Sequence, residues 1–263
     1  MKVGIIGSGI SGLICAYLLR HKFDVTLYES DDKPGGHVNT VEVMSDGDTH
    51  KIDTGFIVFN ESNYPNFIRL LENLEVESKK TRMGFSVRCA NSGLEYSGES
   101  LQGLFGATQN LTDLKHWGMV RDIFRFHSIA KRNLRNQSSV NDFLAKHRFS
   151  QRFRDAFVLP LGSALWSCST ESFGRFPVEF LFDFLSNHKM LQSFDRPIWR
   201  VLKGGSRTYV DKMVKGIGDR LHLNTPVKKV VRTKSGVNLD LPNGTVATFD
   251  EVILACHADQ SLR

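Results

Sequence analysis

Two stretches decide the fold: Val3-Gly4-Ile5-Ile6-Gly7-Ser8-Gly9-Ile10-Ser11-Gly12-Leu13 and, ten residues on, Phe23-Asp24-Val25-Thr26-Leu27-Tyr28-Glu29. Val3–Ile6 reads as a short apolar strand and Gly7–Gly12 as a glycine turn. Leu13–Arg20 follows as a helix with Leu13, Ala16, Tyr17 and Leu19 for packing, and Asp24–Glu29 as a second strand. That order places Gly-x-Gly-x-x-Gly where a bound dinucleotide requires it. Gly7 makes the tight turn, Gly9 lets backbone approach a pyrophosphate, and Gly12 lets the helix lie close to the strand. The helix N-terminus that follows supplies unpaired N–H groups and the positive end of a dipole to the phosphates, so Ile10, Ser11 and Gly12 of the turn are candidates to bind the cofactor. Glu29, seventeen residues after Gly12, ends the second strand, where a carboxylate accepts hydrogen bonds from ribose hydroxyls.

The expected class is therefore α/β, a doubly wound (Rossmann-like) sheet. At 263 residues, 41% apolar and 24% charged, the chain has the composition of a globular protein, not a disordered or fibrous one. The uncharged run Val3–Leu19 is interrupted by Gly4, Gly7, Gly9 and Gly12 and leads straight into a strand, which argues against a signal peptide or membrane span. Cys15, Cys89, Cys168 and Cys256 are widely spaced without a CxxC pair, which fits a reducing cytoplasm and argues against a zinc site or disulfide framework. No nucleophile–base pair or metal-ligand spacing stands out, so no catalytic residue is assigned.

A second glycine pair follows the terminal acid, in Asp31-Asp32-Lys33-Pro34-Gly35-Gly36-His37-Val38-Asn39-Thr40, and Asp53-Thr54-Gly55-Phe56 comes next. With these motifs the chain resembles the flavin-containing amine oxidase superfamily, which carries an acid, a short loop and Gly-Gly-Arg-x-x-Thr/Ser. The resemblance implies FAD in an extended pose, with Gly35, Gly36 and His37 along its phosphates. His37 departs from the pattern, replacing a fixed guanidinium charge by an imidazole.

Further motifs follow in order: Gly55-Phe56-Ile57-Val58-Phe59-Asn60, Asn63-Tyr64-Pro65, Met83-Gly84-Phe85, Leu165-Trp166-Ser167-Cys168, Asn187-His188-Lys189-Met190, Arg196-Pro197-Ile198-Trp199, Gly204-Gly205-Ser206 and Cys256-His257-Ala258-Asp259. This series resembles the branch of predicted NAD/FAD-binding flavoproteins found beside cyclopropane-fatty-acid synthases. It implies an FAD-binding domain from residues 1–55 plus 200–263 and an inserted, mainly helical substrate domain over 56–199. It also implies that Val227 offers backbone groups to adenine. Gly204-Gly205 is read either as backbone beside the flavin ring or as a plain turn before the helix Tyr209–Lys215. His257 is read either as a phosphate contact or as a loop histidine. Relatives continue past Ser261-Leu262-Arg263, so the resemblance implies a chain lacking a C-terminal segment that closes over the flavin. Phe59, Asn60, Trp166 and Trp199 are candidates to line the substrate pocket.

The net charge of +6 is local: residues 1–55 hold eight acids and five bases, whereas Thr112–Asp155 holds ten bases and four acids. Met119–Arg135 is read as an amphipathic helix with Val120, Ile123, Phe124, His127 and Leu134 on its core face, followed by helices over Val140–His147 and Gln151–Val158. The plain account of the cations is a solvated helix face; the sharper one is peripheral contact with an anionic membrane surface. Nucleic acid is not expected, since no recognisable binding module is present. The expectation is a cytoplasmic FAD-dependent oxidoreductase acting on an apolar small molecule or lipid, such as an acyl chain. The alternatives are an amine oxidase or carotenoid-desaturase-like enzyme, and a non-catalytic lipid-surface partner of a lipid-modifying methyltransferase. The sequence assigns no oligomeric state.

Overall fold

The computed structural model describes residues 1–132, 135–191 and 197–262. Two compact units emerge: Met1–Phe59 with Tyr64–Lys80 and Arg200–Arg263, and Asn60–Asn63 with Thr81–Trp199.

The first unit is built on a four-stranded parallel sheet in the order Leu221–His222, Asp24–Tyr28, Lys2–Ile6, Glu251–Leu254. Ile5 pairs in register with Leu27 on one side and Ile253 on the other. Strand alternation divides the side chains between two layers. Val3, Ile5, Val25 and Leu27 point into a core shared with Leu13 and Ala16 of the helix Ile10–Leu19 and with Tyr209, Val210 and Met213 of the helix Arg207–Ile217. Ile6, Tyr28 and Val252 pack instead on Val237, Leu239 and Phe249 of an antiparallel meander, Lys229–Thr233, Gly236–Asp240 and Val246–Phe249. The α/β, Rossmann-like expectation holds, with one difference: the second face of the sheet is covered by strands, not helices. Gly4 makes that contact close, since a Cβ there would lie 3.0 Å from the Phe249 ring.

The domain boundary differs from the expected 56–199 insertion. Tyr64–Lys80 belongs to the first unit, because the helix Pro65–Asn73 buries Leu70 and Leu71, with Leu74 after it, in the core of the sheet and its helices.

The second unit is helical and aromatic. Its core gathers Met119, Val120, Ile123, Phe126 and Ala130 from the helix Leu114–Ala130 with Phe143, Phe153, Phe173, Leu181 and Phe182. That helix begins earlier than expected because the Asp113 carboxylate caps the Lys115 amide at 2.8 Å. The core stripe runs through Met119, Val120, Ile123, Phe126 and Ala130, which leaves Phe124, expected inside, 55% exposed, while His116 and Asp122 are buried. Leu134 lies outside the described residues. Asp122 is fully buried and holds two neighbours in place, accepting from the Ser150 amide at 2.8 Å and from Arg125 Nη1 at 2.6 Å. Burial alone would raise its carboxyl; the hydrogen bonds from Ser150 and the Arg125 charge outweigh that and hold it below the usual range. Gln151–Phe153 runs through a π-turn at Arg154–Val158 into the helix Leu159–Trp166. Among the described residues no helix is long and apolar enough to cross a membrane.

Candidate cofactor site

The C-terminal ends of the parallel strands converge on the glycine turn, where a doubly wound sheet places its ligand. Two of the three glycines are required by the protein itself. Gly7 has φ +99°, and a Cβ there would lie 2.8 Å from the Ala255 carbonyl oxygen; one on Gly12 would lie 1.8 Å from the Gly7 carbonyl oxygen. Gly9 is different, because a Cβ there meets nothing within 4 Å. The space above Gly9 is therefore open, and the helix starting at Ile10 has neither a side-chain cap nor an acidic residue in its first turn. Ile10 and Ser11 are exposed at this end and Gly12 is buried beneath them. An uncapped helix start beneath open space is a cradle for an anionic group.

Glu29, only 8% exposed, closes one side of the turn. Its Oε2 accepts from the Ser8 amide at 2.7 Å and the Ser8 hydroxyl at 2.5 Å, and its Oε1 from the Asp31 amide and Ser30 hydroxyl, each at 3.1 Å. Burial pushes this carboxyl up, but the bonds from Ser8, Asp31 and Ser30 win and hold it below the usual carboxylate range. The acid is thus a charged fixture of the turn. With four donors already on it, a ribose hydroxyl must share or displace a bond, and Ser30 and Asp31 are the exposed members of the set. Ser8, fully buried, is the residue that the sequence reading missed. Its only signal there was its place between two motif glycines.

The second glycine pair sits against the first. The Gly35 amide donates to the Ser8 carbonyl at 3.0 Å. Gly36 has φ +57°, and a Cβ there would lie 2.9 Å from Gly9 Cα, so only glycine allows this approach. His37 follows at the surface, and its ring stacks on that of His257, centroids 5.3 Å apart. Gly55 backs the loop, since a Cβ there would lie 1.8 Å from the His37 carbonyl oxygen. Val227 lies in a loop, not at a strand entry, and is half-buried against Tyr28 and Val237. The chain before it runs beside Glu29, with the Thr225 amide on the Glu29 carbonyl at 2.7 Å and the Asn224 amide on the Asp31 carbonyl at 3.0 Å. Gly7, Gly9, Ile10, Ser11, Gly12, Glu29, Gly35, Gly36, His37 and Val227 are therefore all held around one end of the sheet.

Gly204-Gly205-Ser206 resolves toward the turn. The Ser206 amide donates to the Asp53 carboxylate at 2.8 and 3.0 Å, its hydroxyl donates to the Phe56 carbonyl at 2.7 Å, and Thr40 Oγ1 donates to Asp53 at 2.6 Å. Asp53 thus occupies the start of the helix Arg207–Ile217 from outside, leaving the helix start at Ile10 as the open one. Of the proposed lining residues, Phe59 is buried in an aromatic cluster with Phe56 and Phe67. Asn60 is buried and accepts from the Asn63 amide at 2.8 Å. In the helical unit Trp166 lines an open apolar recess of about 330 Å³ with Phe176, Pro177 and Phe180, and Trp199 stacks on His188.

The residues fit a dinucleotide: an open glycine, an uncapped helix start and a charged acid at the second strand end. Comparison with known proteins agrees. The family model described as flavin containing amine oxidoreductase matches residues 10–262. No curated protein sequence matches the chain. Among solved structures, a wild-type putrescine oxidase bound to putrescine is similar at 22% identity and TM-score 0.67, covering 97% of this chain and 58% of its own. Cyclohexylamine oxidase from Brevibacterium oxydans IH-35A is similar at 20% identity and TM-score 0.71, with 97% and 57% covered. A putative protoporphyrinogen oxidase from Exiguobacterium sp. 255-15 is similar at 18% and 0.67, with 99% and 60% covered. The chain spans under two thirds of the length of these structures, and the likeness to them is one of fold. With residues 10–262 matched, the chain belongs to the flavin-containing amine oxidoreductase family, and the dinucleotide for which its glycine turn is built is FAD.

Proposed function

We propose that the chain is an FAD-dependent oxidoreductase acting on an apolar substrate, such as an acyl chain or lipid, in the branch found beside cyclopropane-fatty-acid synthases. The observation that carries the cofactor half is the open space over Gly9 at the uncapped start of the helix Ile10–Leu19. Support for the substrate half is the aromatic character of the second unit and its recess of Trp166, Phe176, Pro177 and Phe180, which offers a hydrocarbon contact and no charge.

When bound, FAD accepts or delivers the hydride. The chain's own share is binding and orientation. The amides of Ile10 and Ser11, at the uncapped helix start, would hold the diphosphate, and Glu29 would orient the ribose from a position fixed by Ser8. Gly35 and Gly36 bring the His37 loop against the turn.

The family match favours an amine as the second substrate class. The purified protein is expected to show flavin absorption, as isolated or after soaking with FAD and desalting. Anaerobic bleaching of that absorption by an acyl lipid and not by alkyl amines supports the first reading, and the reverse supports the second. Absence of flavin bands after soaking contradicts the cofactor assignment.

A further inference from the structure

The outward face of the helix Leu114–Ala130 has the wrong composition for a solvated surface. Leu114 is 85% exposed, Trp117 49% and Phe124 55%, with Leu111 54% exposed just before the helix. Positions 114, 117, 121, 124 and 128 recur at three- and four-residue spacing, so these side chains form one stripe opposite the core residues Met119, Ile123, Phe126 and Ala130. Arg121, with its side chain 70% exposed, lies within the stripe. Lys131 and Arg132 are exposed beyond its C-terminal end and form no ion pair among the described residues. Asp122, the helix's one acid, is fully buried; it accepts from Ser150 and Arg125 and lies 3.5 Å from Arg121 Nη2. Trp117 is held in place, its indole N–H donating to the Leu111 carbonyl at 3.0 Å and its ring packed 4.5 Å from that of Phe105.

Exposed aliphatic and aromatic side chains interleaved with cations, with the bordering acid Asp113 paired to Arg152, are the composition of a helix lying in a membrane interface. The same charge pattern disfavours a second copy of the chain, because a two-fold contact would set these cations against their own images. We propose that this face docks the helical unit on an anionic phospholipid bilayer. Leu111, Leu114, Trp117 and Phe124 enter the boundary between headgroups and acyl chains, and Arg121, Lys131 and Arg132 meet the lipid phosphates. The proposal is independent of the flavin and its substrate.

Co-sedimentation of the full chain with phosphatidylcholine vesicles, with and without phosphatidylglycerol, tests it at low and high salt. Binding is expected only to the phosphatidylglycerol-containing vesicles and is expected to weaken as salt rises. Leu114→Ser/Phe124→Ser is expected to weaken binding about tenfold or more with an unchanged melting temperature, since both side chains are exposed. Lys131→Gln, beyond the helix end, is expected to weaken it about fivefold through charge alone. Three results overturn the proposal: no sedimentation with phosphatidylglycerol vesicles, equal sedimentation of both variants, or a dimer in light scattering that Leu114→Ser/Phe124→Ser dissolves.

Discussion

In the nucleotide-binding unit a Cβ on Gly12 would lie 1.8 Å from the Gly7 carbonyl oxygen, and one on Gly55 1.8 Å from that of His37. In the helical unit a Cβ on Gly162 would lie 2.0 Å from the Phe173 ring, and one on Gly174 2.5 Å from the Asn141 amide. At Gly12 and Gly55 glycine brings backbone against backbone, where nothing can give way, whereas Gly162 and Gly174, like Gly4 beneath Phe249 in the first unit, seat side chains, which have other rotamers. Gly9 belongs to neither class, and it marks where the first unit leaves room for something that is not protein.

The largest expected effect follows from the backbone contacts. Gly12→Ala should destabilise the protein by about 3 kcal/mol or more, read from the midpoint of urea unfolding, and no second-site side-chain change should rescue it. Gly162→Ala should cost about 2–3 kcal/mol, because Phe173 is buried and must move. Adding Phe173→Leu should recover part of that loss, and equal resistance to rescue at both sites would erase the distinction.

Charge gives a smaller contrast. Glu29 and Asp122 are the buried acids of the two units, each held low by hydrogen bonds. Both bind protons less readily folded than unfolded, so their stabilisation is complete above the ordinary carboxylate range and is lost as pH falls through the folded values. Asp122→Asn should cost about 1–2 kcal/mol at neutral pH and flatten the loss of stability below about pH 4. Glu29→Gln should flatten the same limb and, in addition, weaken FAD binding, which Asp122→Asn should leave intact. Calorimetric melting across pH with a parallel FAD titration checks both.

How much of this was legible in the sequence also differs between the units. The cradle was, because a glycine turn between two short strands is a local pattern, and each motif residue has a backbone task that spacing reveals. The pairing of Glu29 with Ser8 was not, since it depends on the parallel register of Lys2–Ile6 with Asp24–Tyr28. Nor was the β-meander over the second face, which is set by Phe249 meeting Gly4 across more than 240 residues. In the helical unit the periodicity marked the helices, but a cap at Asp113 moved the helix start, and the buried face proved to centre on Met119, Ile123, Phe126 and Ala130, residues the inferred stripe of Val120, Ile123 and Phe124 did not weigh together. Tyr64–Lys80 was placed with the insertion because its apolar positions name no partner until the sheet core is assembled.

The central claim is that the open space over Gly9 is the diphosphate site. Substituting Gly9 by alanine tests it directly, because a Cβ there touches no protein atom within 4 Å and Gly9 has φ −64°, a value alanine adopts freely. The account predicts that Gly9→Ala melts at the wild-type temperature without FAD and binds FAD about tenfold or more weakly, the equivalent of one or two charge-assisted hydrogen bonds. Wild-type FAD affinity in Gly9→Ala, measured by flavin fluorescence titration, would contradict it.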